Sequence, residues 1–152
     1  MIHIKENTPH MHENEMHLTF KSASQNITAA RACVVAFLSP LNPLIVDIND
    51  IKTAVSEAIT NAIIHAYNGS PNHEVDLLCR YFENTIYIEI RDNGVGISDL
   101  EKALEPMYTS KPDEERSGLG FTFMENMMDT LRVESVSGFG TTVYMTKTLS
   151  GI

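Results

Sequence analysis

The spacing of apolar residues along the chain predicts four helices. In the longest of them, apolar side chains recur at intervals of three and four residues, which is the period of an amphipathic helix. Asp47 is the predicted N-cap of this helix, and Ser98 with Glu101 forms a predicted capping box for the third. The predicted helices span residues 24–39, 47–67, 98–105 and 119–130.

Alternation of apolar and polar residues predicts five strands, which span residues 16–21, 75–81, 85–91, 131–136 and 141–148. The third, TIYIEIR, alternates without interruption and follows the second after a three-residue link, so the two predict a hairpin. Helices and strands are mixed without a strict βαβ order. The pattern therefore favours an α+β sandwich, with helices on one face of a mixed, largely antiparallel sheet.

The first residues of the chain follow neither period. We interpret residues 1–14 as a flexible arm, with Met11 as an alternative start and residues 1–10 as an addition to the native chain. Residues 15–152 are predicted to form one domain, since 152 residues is the usual size of a single domain.

Charge and hydropathy narrow the classes of partner. The chain has 11 Lys and Arg against 20 Asp and Glu, and a formal net charge of −9 at pH 7, which argues against direct binding of nucleic acid. Its longest apolar run, residues 32–38, is far shorter than the roughly 20 residues that cross a bilayer. We expect a cytoplasmic protein without a membrane partner, whose two cysteines, Cys33 and Cys79, are reduced and mostly buried.

The long predicted helix carries one pair with chemical potential. Glu57 and Asn61 are four residues apart and so share a helix face. An amide oxygen can bind Mg²⁺, and a carboxylate can accept a proton from a nucleophile. Taken alone, the pair is better explained as an exposed polar face.

Two glycine-containing segments extend this pattern. Residues 92–96, Asp-Asn-Gly-Val-Gly, follow a predicted strand, where glycine allows close backbone approach and Asp can accept a hydrogen bond from an amino group. Residues 118–120, Gly-Leu-Gly, open a predicted helix downstream of Lys111 and Arg116, a composition suited to phosphate. Each segment alone is also compatible with an ordinary turn.

Together and in this order, the motifs resemble the GHKL (Bergerat) fold of ATPases and kinases, and most closely its anti-sigma serine kinases from spore-forming bacteria. The resemblance covers about residues 13–149 and is carried by SEAITNAIIHAY (56–67), RDNGVGI (91–97), SKPDEERSGLGFTFMENMMD (110–129) and GTTVYM (140–145). It departs at Ala66, where glycine is expected, and at Asn93, a variable position often occupied by Glu.

The resemblance implies a site for ATP or ADP with Mg²⁺. Glu57 would be the general base and Arg116 a second catalytic residue, while Asn61 would bind the metal. Arg31, on the polar and exposed side of the first helix, would contact protein partners. The residues implied in nucleotide binding are Asn61, Asp92, Gly94, Gly96, Thr109, Ser110, Lys111, Ser117, Gly118, Gly120 and Thr141.

The function that the resemblance implies is an ATP-dependent anti-sigma factor. It would bind and inhibit a sporulation sigma factor, phosphorylate an anti-anti-sigma protein on serine, and form a homodimer. Two alternatives stay open at this point. One is a general-stress anti-sigma serine kinase of the same family, and the other is a nucleotide-dependent binding module without kinase activity.

Overall fold

A computed structural model describes residues 13–105 and 120–151. The strands are β1 (Glu13–Lys21), β2 (Glu74–Phe82), β3 (Thr85–Asp92), β4 (Thr130–Val136) and β5 (Gly140–Thr148). The α-helices are α1 (Gln25–Leu38), α2 (Ile45–Asn61), α3 (Leu100–Ala103) and α4 (Gly120–Met127). A 3₁₀ turn, Ser39–Leu41, follows α1, and one π-helical turn, Ala62–Ala66, extends α2.

The five strands form one antiparallel sheet in the order β1-β2-β3-β5-β4. The predicted β2–β3 hairpin is confirmed, with Phe82 paired to Thr85 across its turn. Alternate residues of the central strands are buried in a common core with helix residues. Helices therefore cover this face of the sheet, and the predicted α+β class is confirmed.

The core between helices and sheet is mainly aliphatic. It contains Ile51, Val55 and Ile59 from α2, with Leu77 and Ile88 from the sheet. Burying a side chain of this size stabilises a fold by roughly 1.5–3 kcal/mol. This packing fixes the position of α2 relative to the ends of the strands. The candidate site residues lie on the outer face of α2 and at the end of β3.

Several element ends differ from the sequence predictions. β1 begins at Glu13, so the last two residues of the predicted arm are strand. The N-cap of α2 is Leu44, and Asp47 is instead buried and accepts hydrogen bonds from Ser150. Asp99 rather than Ser98 caps α3, and its carboxylate accepts the Lys102 N–H. α4 ends at Met127 because Thr130 already belongs to β4.

The prediction of two mostly buried thiols is wrong for one of them. Cys79 points into the core from β2, but Cys33 is exposed on α1. Burial raises the pKa of Cys79 to about 12, because the apolar core disfavours a thiolate.

We expect the native protein to react with one equivalent of a thiol reagent at pH 8, through Cys33. At this pH Cys79 remains a protonated thiol shielded from solvent, and only the thiolate is nucleophilic. Titration with a chromogenic disulfide should give no signal in folded Cys33→Ser, whereas the wild-type protein should gain a second equivalent in urea, from Cys79. Fast labelling of folded Cys33→Ser would contradict the burial of Cys79.

Candidate active site

The end of α2 presents the predicted Glu57 and Asn61 pair on one half-buried face. Gly120, the first described residue of α4, packs directly against this face. A Cβ atom placed on Gly120 would lie 3.2 Å from Asn61 Oδ1 and 3.4 Å from Glu57 Oε2. The backbone of α4 at Gly120 therefore lies so close to the carboxylate and the amide that any larger residue would be crowded.

A second group of predicted residues gathers at the end of β3. Asp92 is only 7% exposed, and its Oδ1 accepts hydrogen bonds from Gly94 N at 2.9 Å and Thr141 N at 3.2 Å. Burial raises the pKa of Asp92, and the two backbone bonds partly offset that shift. A buried carboxylate held in this way is an acceptor of fixed position.

The glycines after Asp92 allow two close backbone approaches. A Cβ on Gly94 would overlap the Ala66 backbone, and Val95 N donates to Ala66 O at 3.1 Å. Gly96 has φ +72°, and a Cβ there would overlap Val136 O. Ala66, where the sequence departs from the family pattern, thus faces Gly94 and leaves no room for a side chain at position 94.

The hairpin between β4 and β5 forms the opposite wall of this group. Ser135 Oγ accepts the Ile97 N–H at 2.7 Å and lies 2.8 Å from Thr141 Oγ1. Gly138 N donates to Val95 O at 2.7 Å. These bonds tie the turn after Asp92 to the hairpin that carries Thr141.

The π turn joins the two groups. It starts directly after Asn61 and ends at Ala66, which contacts Gly94. Asn61 and Asp92 are therefore held on one continuous framework although they are 31 positions apart in the chain.

Tyr67 is part of this framework and was not predicted from the sequence. Its hydroxyl donates to Glu74 O at 2.7 Å and accepts the Asn93 N–H at 2.8 Å. Burial is the main reason that the pKa of Tyr67 is raised. The only sequence signal was a tyrosine directly after the ExxxN helix, which does not by itself indicate a bond to Asn93.

Arg31 is less exposed than the sequence indicated. It is half-buried, because α1 packs on α2 and the guanidinium reaches Ser56, whose Oγ accepts from Nη1 at 3.3 Å. Its Nε is buried without an acceptor in residues 13–105 and 120–151. Arg31 therefore contacts the neighbour of Glu57 in the chain, a proximity that sequence separation did not suggest.

The model of the histidine kinase-like ATPase domain matches residues 20–147. The anti-sigma F factor of Oceanobacillus iheyensis is 51% identical over 138 residues, covering 91% of this chain and 94% of the relative. The chain belongs to the anti-sigma F factor family. The Clostridium novyi anti-sigma F factor is 50% identical over 142 residues, covering 93% of this chain and 99% of its own.

A solved structure of the RsbU and RsbW domains of a Mycobacterium tuberculosis protein supports the fold of this anti-sigma F factor family member. It aligns with a TM-score of 0.64 at 18% identity, covering 90% of this chain and 32% of the other. At this identity the likeness concerns the fold alone. The predicted GHKL-type architecture is confirmed.

Several predicted site residues of this anti-sigma F factor family member lie outside the described residues: Thr109, Ser110, Lys111, Arg116, Ser117 and Gly118. Among the predicted site residues that the structure does describe, Glu57, Asn61 and Gly120 form one group. Asp92, Gly94, Gly96 and Thr141 form the other. Their roles in binding and catalysis stay predictions. No helix in residues 13–105 or 120–151 combines the length and hydropathy needed to span a membrane.

Proposed function

We propose that this protein is an ATP-dependent anti-sigma factor that binds and inhibits a sporulation sigma factor, sigma F, and phosphorylates an anti-anti-sigma protein on serine. The observation that carries the proposal is the meeting of Glu57 and Asn61 with Gly120 at the start of α4. The family supports it as well, since relatives about half identical over nearly their whole length are named anti-sigma F factors.

The nucleotide would span the two groups of residues. Both described bonds to Asp92 end on Oδ1, so Oδ2 is the oxygen that we assign to the adenine amino group. Gly94, Gly96 and Thr141 would shape that pocket. Lys111, Ser117 and Gly118, with Thr109, Ser110 and Gly120, would surround the phosphates.

The donor set near Gly120 fits magnesium bound together with nucleotide phosphates. Mg²⁺ in such sites typically takes one or two protein oxygens and completes its shell with phosphate and water. Asn61 Oδ1 is a suitable neutral ligand, and it lies on the face that Gly120 approaches. Residues 13–105 and 120–151 contain no cluster of three His, Cys, Asp or Glu that would hold a metal alone.

Glu57 is the residue that we assign to proton transfer. Its carboxylate would accept the proton of the substrate serine while the serine oxygen bonds to the γ-phosphorus and the bridging oxygen leaves with ADP. Phosphoryl transfer depends mostly on positioning and on charge stabilisation, so a fixed base beside a metal ligand is an adequate arrangement. Arg116 would stabilise the charge on the transferred group.

We propose that the protein acts as a homodimer in the cytoplasm, where its sigma factor would otherwise engage RNA polymerase. The net charge of −9 makes direct contact with nucleic acid a poor explanation of transcriptional control. Control is therefore exerted through protein partners.

The binding half of the proposal is tested by capture experiments with purified partners. Immobilised protein should retain sigma F in Mg-ATP and retain less of a general-stress sigma factor at equal concentration. Preference for the general-stress sigma factor would assign the chain to the other branch of the family. Equal retention of sigma F with and without nucleotide would contradict ATP dependence.

We expect Arg31→Met to weaken capture of both sigma F and the anti-anti-sigma protein by about tenfold or more, since interface arginines are frequent hot spots. A partner carboxylate would bind the guanidinium through two N–H groups, more than Ser56 satisfies at 3.3 Å. Methionine keeps most of the packed stem and removes the charge.

Arg31→Lys, which keeps the charge but not the planar fork, is the companion variant and should be intermediate. ATP affinity is measured in parallel because Ser56 precedes Glu57 in α2. Unchanged capture of both partners by Arg31→Met would remove Arg31 from the interface. A loss of ATP affinity of the same size would instead place its effect in the nucleotide site.

A further inference from the structure

A buried lysine outside the site connects three elements of the fold. Lys147 occupies an inward position of β5, and its side chain is 10% exposed. Its Nζ donates to Met127 O at 2.9 Å and lies 3.4 Å from Asp50 Oδ2 and 3.9 Å from Asp47 Oδ1. The ammonium group thus links the sheet, the first turns of α2 and the last residue of α4.

The same two helices meet again at the candidate active site. Met127 ends α4, beside Asp47 and Asp50 near the start of α2, whereas Gly120 begins α4 beside Glu57 and Asn61 near its end. The helices are therefore antiparallel. Lys147 holds one end of the pair, and the glycine contact lies at the other.

The hydrogen bond from Lys147 to Met127 O stabilises the C-terminal end of α4. The eight described residues of α4 are fewer than an isolated helix needs to be stable in water, so the helix depends on tertiary contacts. Its last carbonyl groups lack partners within the helix, and a cation is favourable at this end of the helix dipole. Met127 O finds its donor in Lys147, and the two aspartates balance the buried charge.

We propose that Lys147 is a positioning residue, which holds α4 against α2 and so sets the place of Gly120 relative to Asn61 and Glu57. The inference rests on the proposed function for its consequence, nucleotide binding, but its structural part stands on the contacts alone. Lys147 would act through α4 without touching the nucleotide.

The test measures hydrogen exchange in residues 120–127 together with Mg-ATP affinity. In Lys147→Met we expect faster exchange across α4 and an affinity loss of about tenfold or more, because the helix end is released and opens locally. Lys147→Arg, which retains a donor and the charge, should restore both. Lys147→Met with Asp50→Asn removes one unbalanced carboxylate and is the variant to use should the single variant fail to fold.

Val75→Ala is the matched control. Val75 is a fully buried core residue of β2, so its truncation lowers stability without involving the Lys147 contacts. Where Val75→Ala lowers Tm as much as Lys147→Met does, it should keep wild-type ATP affinity. Hydrogen exchange in α4 should then remain as slow as in the wild-type protein.

Two results would overturn the proposal. One is wild-type exchange in α4 and wild-type ATP affinity in a folded Lys147→Met variant. The other is an effect no larger than that of Val75→Ala at matched Tm. Should the wild-type protein itself not bind ATP, the proposed function fails, and the exchange comparison alone decides the role of Lys147.

Discussion

Glu57→Gln will bind Mg-ATP like the wild-type protein and will phosphorylate the anti-anti-sigma protein about 10² to 10⁴ times more slowly, the usual contribution of a general base. Glutamine preserves the size of the side chain that packs beside Gly120. It cannot accept the serine proton as a carboxylate does. The measurement is single-turnover transfer with saturating nucleotide, which separates the chemical step from binding.

Glu125→Gln provides the control for this change. Glu125 is an exposed residue of α4, so its substitution removes the same charge close to the site without altering the Glu57 face. We expect wild-type transfer rates from it. A wild-type rate from Glu57→Gln would place the base elsewhere and favour a nucleotide-dependent binding module.

Asp92→Asn will weaken ATP and ADP binding by about 10- to 100-fold, as expected when a buried hydrogen bond worth ~1–3 kcal/mol is replaced by an unpaired group. Asn can keep an oxygen toward Gly94 N and Thr141 N. Its amide nitrogen would then occupy the Oδ2 position and oppose the adenine amino group, donor against donor. Calorimetric titration measures the loss directly.

The same substitution should raise stability at neutral pH. Because burial raises the folded-state pKa of Asp92, the native protein holds that proton more tightly than the unfolded chain does. Stability from this group is present at low pH and falls as pH rises through the interval between the unfolded and folded pKa. Asn carries no such penalty, so Tm should increase above that interval while affinity falls.

Asp76→Asn is the control for the affinity measurement. Asp76 is a half-exposed residue of β2, paired with Arg91 at 3.6 Å. It should leave nucleotide affinity unchanged. Wild-type ATP affinity in Asp92→Asn would remove Asp92 from the nucleotide site.

Most helices and strands could be predicted because the period of apolar residues that indicates them is a property of neighbouring residues in the sequence. The alternation in TIYIEIR matches β3, and the three- and four-residue spacing of Ile48, Ile51 and Val55 matches the buried face of α2. The resemblance to the GHKL fold implied that Glu57, Asn61 and Asp92 are site residues. The structure then brought the first two against Gly120, but their chemical roles await the variants described above.

What escaped prediction depends on contacts between distant residues. Asp47 has the composition of an N-cap, yet its carboxylate accepts bonds from Ser150, 103 positions away. Arg31 lies on the polar side of α1 but is covered by the packing of α2. A signal for Lys147 did exist, since the two-residue period of β5 places it on the same face as Val143 and Met145.

The most direct test of the kinase assignment is transfer of label from γ-labelled ATP to the purified anti-anti-sigma protein in the presence of Mg²⁺. The account predicts label on a serine of that protein, formed in proportion to ADP and abolished when Mg²⁺ is chelated. Label that stays on nucleotide although ATP is bound, or label found on histidine, would contradict it.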